Sequence, residues 1–343
     1  MKILQRLSAS KLTPVFIRLF LRLKSSRERP SAPLGSRLLT NPDDVFKHNT
    51  WDHVQWTEED KENARRKVEE NSTVQLPLKE QDEFDKEASL HWNSFYEVHQ
   101  DRFFKDRNWL CLEFPELFPL AVKDQTVSKS NSHHSLHQES PQTFAFPGQH
   151  ASFRILEVGC GVGNSVFPIL NKTNSFLYCC DFSPRAIKLV MEHQDYDDSV
   201  CHAFVHDLCE AEASFPFPPQ SLDVILAVFV LSSIHPKRIE GVINRISAYL
   251  KPGGTFLFRD YGRYDLTQLR FKKGQCVSES FYMRGDGTCV YFFTKEEVHQ
   301  LFTKAGLEET QNLEDRRLQV NRGRKVIMHR VWIQSKYRKP YLH

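Results

Sequence analysis

The chain has 343 residues, 40% of them hydrophobic and 26% charged, and a formal net charge of +3. That length holds one domain of ordinary size plus substantial extensions, and the balance suits a globular protein. No run of 18 uncharged apolar residues occurs, which argues against a membrane span, and so small a net charge says little about partners.

Residues 1–27 carry seven basic residues, Lys2, Arg6, Lys11, Arg18, Arg22, Lys24 and Arg27, and no Asp or Glu. Leu12, Val15, Phe16, Leu19, Phe20 and Leu23 recur at helical spacing, while Arg18 interrupts the apolar run that a secretory signal needs. An acid-free, Arg-rich, amphipathic start predicts a mitochondrial presequence over residues 1–30 and a matrix location. A basic surface helix on a cytoplasmic or nuclear protein is the alternative.

Residues 31–56 read as irregular. Thr57 is placed to cap a helix whose first turn holds Glu58, Glu59 and Asp60, where the helix dipole favours acids, and which runs to about Glu70. A second helical pattern runs from about Glu80 to Gln100 and holds the aromatic cluster Trp92, Phe95 and Tyr96. The run Phe103-Phe104-Lys105-Asp106-Arg107 and then Trp109 follow it. Residues 31–120 are thus expected to form a helical N-terminal region. Residues 121–150 are rich in Ser, Gln and His, including His133, His134, His137 and His150, and are expected to be a flexible polar linker rather than a metal site.

From 151 to 343 short apolar runs alternate with helical stretches. Strands are expected at 153–158, 175–180, 201–205, 222–230 and 255–259, with helices at about 164–171, 184–193 and 236–250. Such alternation predicts a mostly parallel sheet with helices on both faces. A hairpin around Gly285-Asp286-Gly287, a helix at about 295–305 and a last pair of strands flanking Asn321-Arg322-Gly323 complete the chain. None of the eight cysteines forms a C-x-x-C pair, so buried free thiols in a reducing compartment are expected.

The strongest motif is Leu156-Glu157-Val158-Gly159-Cys160-Gly161-Val162-Gly163-Asn164, between an apolar strand and a helix. Glycines serve where a turn is tight and a ligand approaches the backbone. The spacing G-x-G-x-G is not the dinucleotide fingerprint, and no P-loop lysine follows. A cofactor without phosphates, S-adenosylmethionine, suits a loop with Glu157 beside it. Asp181 ends the second strand, where an acid accepts ribose hydroxyls. After the third strand, Asp207 can accept an adenine amino group and Leu208 can pack on the ring. These elements together predict a class I S-adenosylmethionine-dependent methyltransferase. Its fold is Rossmann-like, a mostly parallel seven-stranded sheet with a C-terminal antiparallel hairpin, here carrying a helical N-terminal RNA-binding extension.

The runs Gly159–Pro168, Cys179–Ser183, Phe204–Leu208, Phe229–Pro236, Lys251–Gly254 and Leu257–Asp265 resemble the tRNA N3-methylcytidine methyltransferases. Leu269–Lys272, Phe281–Thr294, His91–Tyr96 and Phe103–Arg107 are similar as well. The resemblance implies methylation of cytidine at tRNA position 32 in the anticodon loop. With the basic start, it points to the mitochondrial member of the group, acting on tRNA for threonine and serine. It also implies seryl-tRNA synthetase as a partner. By the same match Trp92 and Tyr96 fold over the cofactor, Gly159, Gly161, Asp181, Asp207 and Leu208 line its pocket, and Val228 touches the adenosyl part.

Cytosine N3 carries a usable lone pair, so the protein must expose the base, align it and accommodate a cationic product. Asp260 is the candidate to hold the N4 amino group and stabilise developing positive charge, and Arg259 to contact the carbonyl or a phosphate. An Arg259–Asp260 ion pair at the strand end is the structural alternative. Candidates for RNA contact are Lys105, Arg107, Arg263, Arg270, Lys272, Arg316, Arg317 and Arg322, because clustered basic residues neutralise phosphates. A cytosolic or nuclear tRNA or mRNA N3-methylcytidine methyltransferase, a small-molecule methyltransferase, and an RNA-binding protein that keeps the cofactor as a structural ligand are the competing functions.

Overall fold

The computed structural model describes residues 35–77, 81, 86–118 and 145–341. The expected presequence and most of the 121–150 linker lie outside them. The N-terminal region contributes β1 (Thr50–Trp51), α1 (Glu58–Ser72) and α2 (Ala88–His99). Then β2 (Arg154–Val158), α3 (Val166–Leu170), β3 (Phe176–Asp181), α4 (Pro184–Met191), β4 (Cys201–Val205) and β5 (Leu222–Val228) alternate. The chain continues through α5 (Pro236–Ser247), β6 (Leu250–Tyr261), β7 (Cys276–Ser278), β8 (Phe281–Met283) and β9 (Cys289–Tyr291). It ends in α6 (Lys295–Lys304), β10 (Glu308–Asn321) and β11 (Val326–Arg338).

Strands β2, β3 and β5 are near-continuous apolar runs because helices cover both faces of the sheet. The sheet order is β1-β10-β11-β6-β5-β2-β3-β4. The pairs from β4 to β6 are parallel, and β11 and β10 close the sheet as an antiparallel hairpin. The chain leaves β2 towards β4, then crosses back to β5 on the other side of β2. That reversal opens a crevice beyond the carboxyl ends of β2 and β5, where open α/β sheets bind ligands. Helix α5 buries Ile239, Val242, Ile243 and Ile246 on one face, with Pro236 in its first turn and the His235 ring accepting the Lys237 N–H.

The parallel core and its closing hairpin match the expectation, but the sheet has eight strands among the described residues rather than seven. Thr50 and Trp51 pair with Gln319 and Leu318 and extend the β10 edge. Trp51 buries its ring against Leu318 and Val320, and its indole N–H donates to the Val45 carbonyl at 2.8 Å. Two residues carry no periodicity, so the strand is invisible in the sequence. The N-terminal region thus contributes a strand to the main sheet as well as the helices α1 and α2.

Part of the expected 121–150 linker lies within the described residues. Residues 145–150 form a turn in which the Pro147 carbonyl accepts the Tyr178 hydroxyl, and Phe146 packs on the core. Strands β7, β8 and β9 make a separate three-stranded sheet, with β8 and β9 as the expected hairpin. All eight cysteines are free, and five are buried.

Candidate active site

The turn after β2 holds Gly159, Gly161 and Gly163 at φ of +62°, +55° and +88°, a region L-residues rarely occupy. A Cβ on Gly159 would lie 2.1 Å from the Val230 side chain, and one on Gly161 would lie 2.8 Å from the Tyr96 hydroxyl. The turn is therefore tight against both β5's end and α2. At the tip of β3, Asp181 accepts the Gly161 N–H at 3.0 Å and the Ser183 N–H at 2.9 Å. Burial pushes its carboxyl up to about 6. Each oxygen has spent one lone pair on the backbone and keeps another for a ligand.

Asp181, Gly159, Asp207, Leu208 and Val230 face one cavity. Two carboxylates at neighbouring strand tips and an apolar wall at Leu208 fit an adenine nucleoside. Trp92 and Tyr96 of α2 close the cavity from above. They are held there by Asn93, whose amide oxygen accepts the Ser183 hydroxyl at 2.8 Å and the Arg185 N–H at 3.1 Å. Val228 does not reach this cavity. It is 1% exposed and packs with Val224 and Leu226 under the helices, because alternation turns it away from the crevice. Val230, two residues on, takes the expected place. Gly161 lies behind Tyr96 and lines the neighbouring cavity instead.

That second cavity shares Trp92, Tyr96, Gly159, Phe229 and Ser233 with the first. Phe229 sits at φ +58° at the end of β5, its N–H donating to the Arg259 carbonyl at 2.9 Å. A bulky residue in the left-handed region is strained, and such strain clusters at working sites. Other walls are aromatic, from Trp109, Tyr261 and Trp332, and polar, from Arg284, Asp286 and Thr288 of the β8–β9 turn.

Asp260 lies beneath this cavity and not on its wall. It is fully buried and accepts the N–H groups of Ser232 and Tyr261, each at 2.9 Å, and burial pushes it up to about 6. It holds Ser232, which does line the cavity. Arg259 points to the other face. Its guanidinium pairs with Asp315 at 2.6 Å, bonds Gln334, and lies 5.1 and 4.9 Å from the Trp109 and Trp332 rings. It is 4% exposed and sits behind the Trp109 and Trp332 walls of the second cavity. The alternative ion pair with Asp260 is also absent, because adjacent strand residues point oppositely and Asp315 of β10 supplies the partner.

Of the RNA candidates, Lys105, Arg270, Lys272 and Arg322 are exposed, and Lys105 stands at the mouth of the second cavity. Four others are already engaged. Arg107 donates to the Ser165 hydroxyl at 2.7 Å and sits 3.6 Å from Glu157 under the glycine turn. Arg263 pairs with Glu297 at 2.6 Å. Arg317 pairs with Glu113 at 2.8 Å and Asp315 at 3.0 Å. Arg316 pairs with Glu314 and covers the Trp56 ring at 5.0 Å. All four brace the fold, and Arg107 also lines the second cavity; runs of basic residues in the sequence do not show the acids that meet them.

A glycine turn with acids at the next two strand tips, at the switch point of this sheet, defines a class I S-adenosylmethionine-dependent methyltransferase. A family model described as a methyltransferase domain matches residues 156–256. Among curated proteins, the tRNA N(3)-cytidine methyltransferase METTL2 of Danio rerio is 55% identical over 92% of this chain and 90% of its own length. METTL2B of Homo sapiens, also a tRNA N(3)-cytidine methyltransferase, is 50% identical over 90% and 94%. The human tRNA N(3)-cytidine methyltransferase METTL8, mitochondrial, is 45% identical over 61% of this chain and 90% of its own length. The chain belongs to this family of tRNA N(3)-cytidine methyltransferases, and S-adenosylmethionine is its cofactor. Among solved structures, the chain is similar to a SAM-dependent methyltransferase of Methanosarcina mazei at 18% identity and TM-score 0.43, over 55% of this chain and 93% of that one.

Proposed function

We propose that this enzyme methylates N3 of the cytidine at position 32 in the anticodon loop of mitochondrial tRNA for threonine and serine. The observation that carries the methyl-transfer reading is the pair of cavities meeting at Trp92, Tyr96, Gly159, Phe229 and Ser233. One fits a nucleoside cofactor; the other is aromatic-walled and open to Lys105, as a splayed base with flanking phosphates requires. When bound, S-adenosylmethionine supplies a methyl group already activated by its sulfonium.

The chain's own residues do the rest. Asp181 and Asp207 orient the nucleoside, and Phe229 and Tyr261 give the base a stacking surface. Asp260, through the Ser232 N–H, sets the floor between the cavities. Cytosine N3 needs no deprotonation, so alignment carries most of the work. The test is mass spectrometry of nucleosides from tRNA transcripts treated with the purified enzyme. N3-methylcytidine at position 32 supports the reading; turnover of small molecules alone, without tRNA methylation, defeats it.

The mitochondrial location rests on the acid-free, Arg-rich first 27 residues and on the relative labelled mitochondrial. A fluorescent fusion should reach mitochondria, and removal of residues 1–30 should leave it in the cytoplasm. Seryl-tRNA synthetase as a partner rests on the family resemblance; co-purification that survives nuclease treatment tests it.

A further inference from the structure

We propose that the β8–β9 hairpin tip reads the base: Asp286 accepts the cytosine N4 amino group, and Arg284 donates to its O2. The proposal rests on the tRNA-cytidine reading above and names the residues that select cytosine within it. Both side chains line the second cavity, opposite the aromatic wall. Asp286 Oδ1 is occupied, accepting the Thr288 N–H at 3.0 Å and its hydroxyl at 2.7 Å. Among the described residues nothing donates to Asp286 Oδ2. Arg284 Nη1 donates to the Thr288 hydroxyl and the Cys289 carbonyl, each at 3.2 Å, and among the described residues nothing accepts from Nε or Nη2.

The tip is also rigid. Arg284 and Thr288 close the turn, with the Arg284 N–H donating to the Thr288 carbonyl at 2.8 Å. Gly287 sits at φ +82°, and a Cβ there would lie 2.4 Å from the His91 ring. The tip is thus seated on α2, one residue from Trp92, which lines both cavities.

The two groups make a complementary code. Cytosine presents a donor at N4 and an acceptor at O2, flanking the N3 lone pair. Uracil presents an acceptor at O4, which a carboxylate repels, and a proton on N3. Asp286 is exposed and Arg284 half-buried until a base fills the cavity; a mismatched edge then leaves both groups without a partner, which disfavours uracil. The carboxylate also offsets the positive charge the base acquires.

The experiment compares wild type with Asp286→Asn and Arg284→Met on a tRNA transcript. It measures single-turnover rate, tRNA affinity, and cofactor affinity by calorimetry. Each variant should lose about 100-fold in rate while both affinities stay within about threefold, since phosphate contacts dominate tRNA binding. If wild type itself leaves the transcript unmethylated, the parent reading fails. If wild type is active and both variants keep rates within about threefold of it, the hairpin assignment is overturned. Should Asp286→Asn fail to fold, Arg284→Met alone decides by the same criterion. A melting curve on each protein separates lost folding from lost chemistry.

Discussion

The amide oxygen of Asn93 accepts the hydroxyl of Ser183, 90 residues away, at 2.8 Å. The same hydroxyl accepts the Ala186 N–H and so caps α4. One side chain therefore joins the helix carrying Trp92 and Tyr96 to the strand tip carrying Asp181. Asn93→Ala removes two acceptor bonds, worth about 1 kcal/mol each. Cofactor affinity measured by calorimetry should fall about tenfold, and the melting temperature should fall by a few degrees. Unchanged affinity would mean that α2 stays in place without this tie.

Gly159→Ala places a methyl into the space of Val230 at a positive φ. Cofactor binding should drop below detection in calorimetry, and stability should fall by about 1–3 kcal/mol in denaturant melts.

Glu157 is fully buried, and burial pushes it up to about 7 despite Arg107 nearby. The folded state then holds a proton that the unfolded state has released above the ordinary value of 4.5, so this group costs stability as pH rises through 7. Glu157→Gln mimics the protonated form. The stability of the variant relative to wild type should grow by about 1.4 kcal/mol between pH 6 and pH 8. A flat difference across that range would show that Glu157 does not titrate there.

Arg259 belongs to a buried charge network with Asp315, Arg317 and Glu113. Arg259→Ala leaves Asp315 with Arg317 as its one remaining cation and should cost about 1–3 kcal/mol of stability. Arg259→Met with Asp315→Leu removes both charges and should recover most of that loss, together with cofactor binding. Catalysis lost in the double variant despite full folding and cofactor affinity would restore a direct role for Arg259.

Lys105 and Lys272 are exposed, form no ion pair among the described residues, and suit phosphate contacts. Replacing either with Ala should weaken tRNA binding for all sequences alike and reduce the salt slope by about 1. The same change at Arg317, which is engaged with Glu113, should instead lower the melting temperature.

Legibility followed the range of the interaction. Strands β3 and β4 and helices α4 and α6 lie within a residue or two of their expected positions, because apolar periodicity, Pro184 and the Thr294 cap are local signals. The glycine turn and Asp181 were legible for the same reason: a turn and the strand ends beside it lie close in sequence. Val228 was misplaced by one turn of the strand alternation. The strained Phe229 beside it, which carries no mark in the sequence, shifts which side chains face the crevice.

What the sequence determined by itself is the cofactor half of the site, since three consecutive βα units bring their own loops together. What only tertiary structure decided is the substrate half and the fate of the arginines. Arg259 and Asp315, 56 residues apart, meet because β11 is inserted between β6 and β10, and Asp286 reaches the cavity because Gly287 lets its hairpin rest on His91. Charge compensation and close backbone approach are pairwise terms between distant segments, and composition along one segment holds no record of its partner.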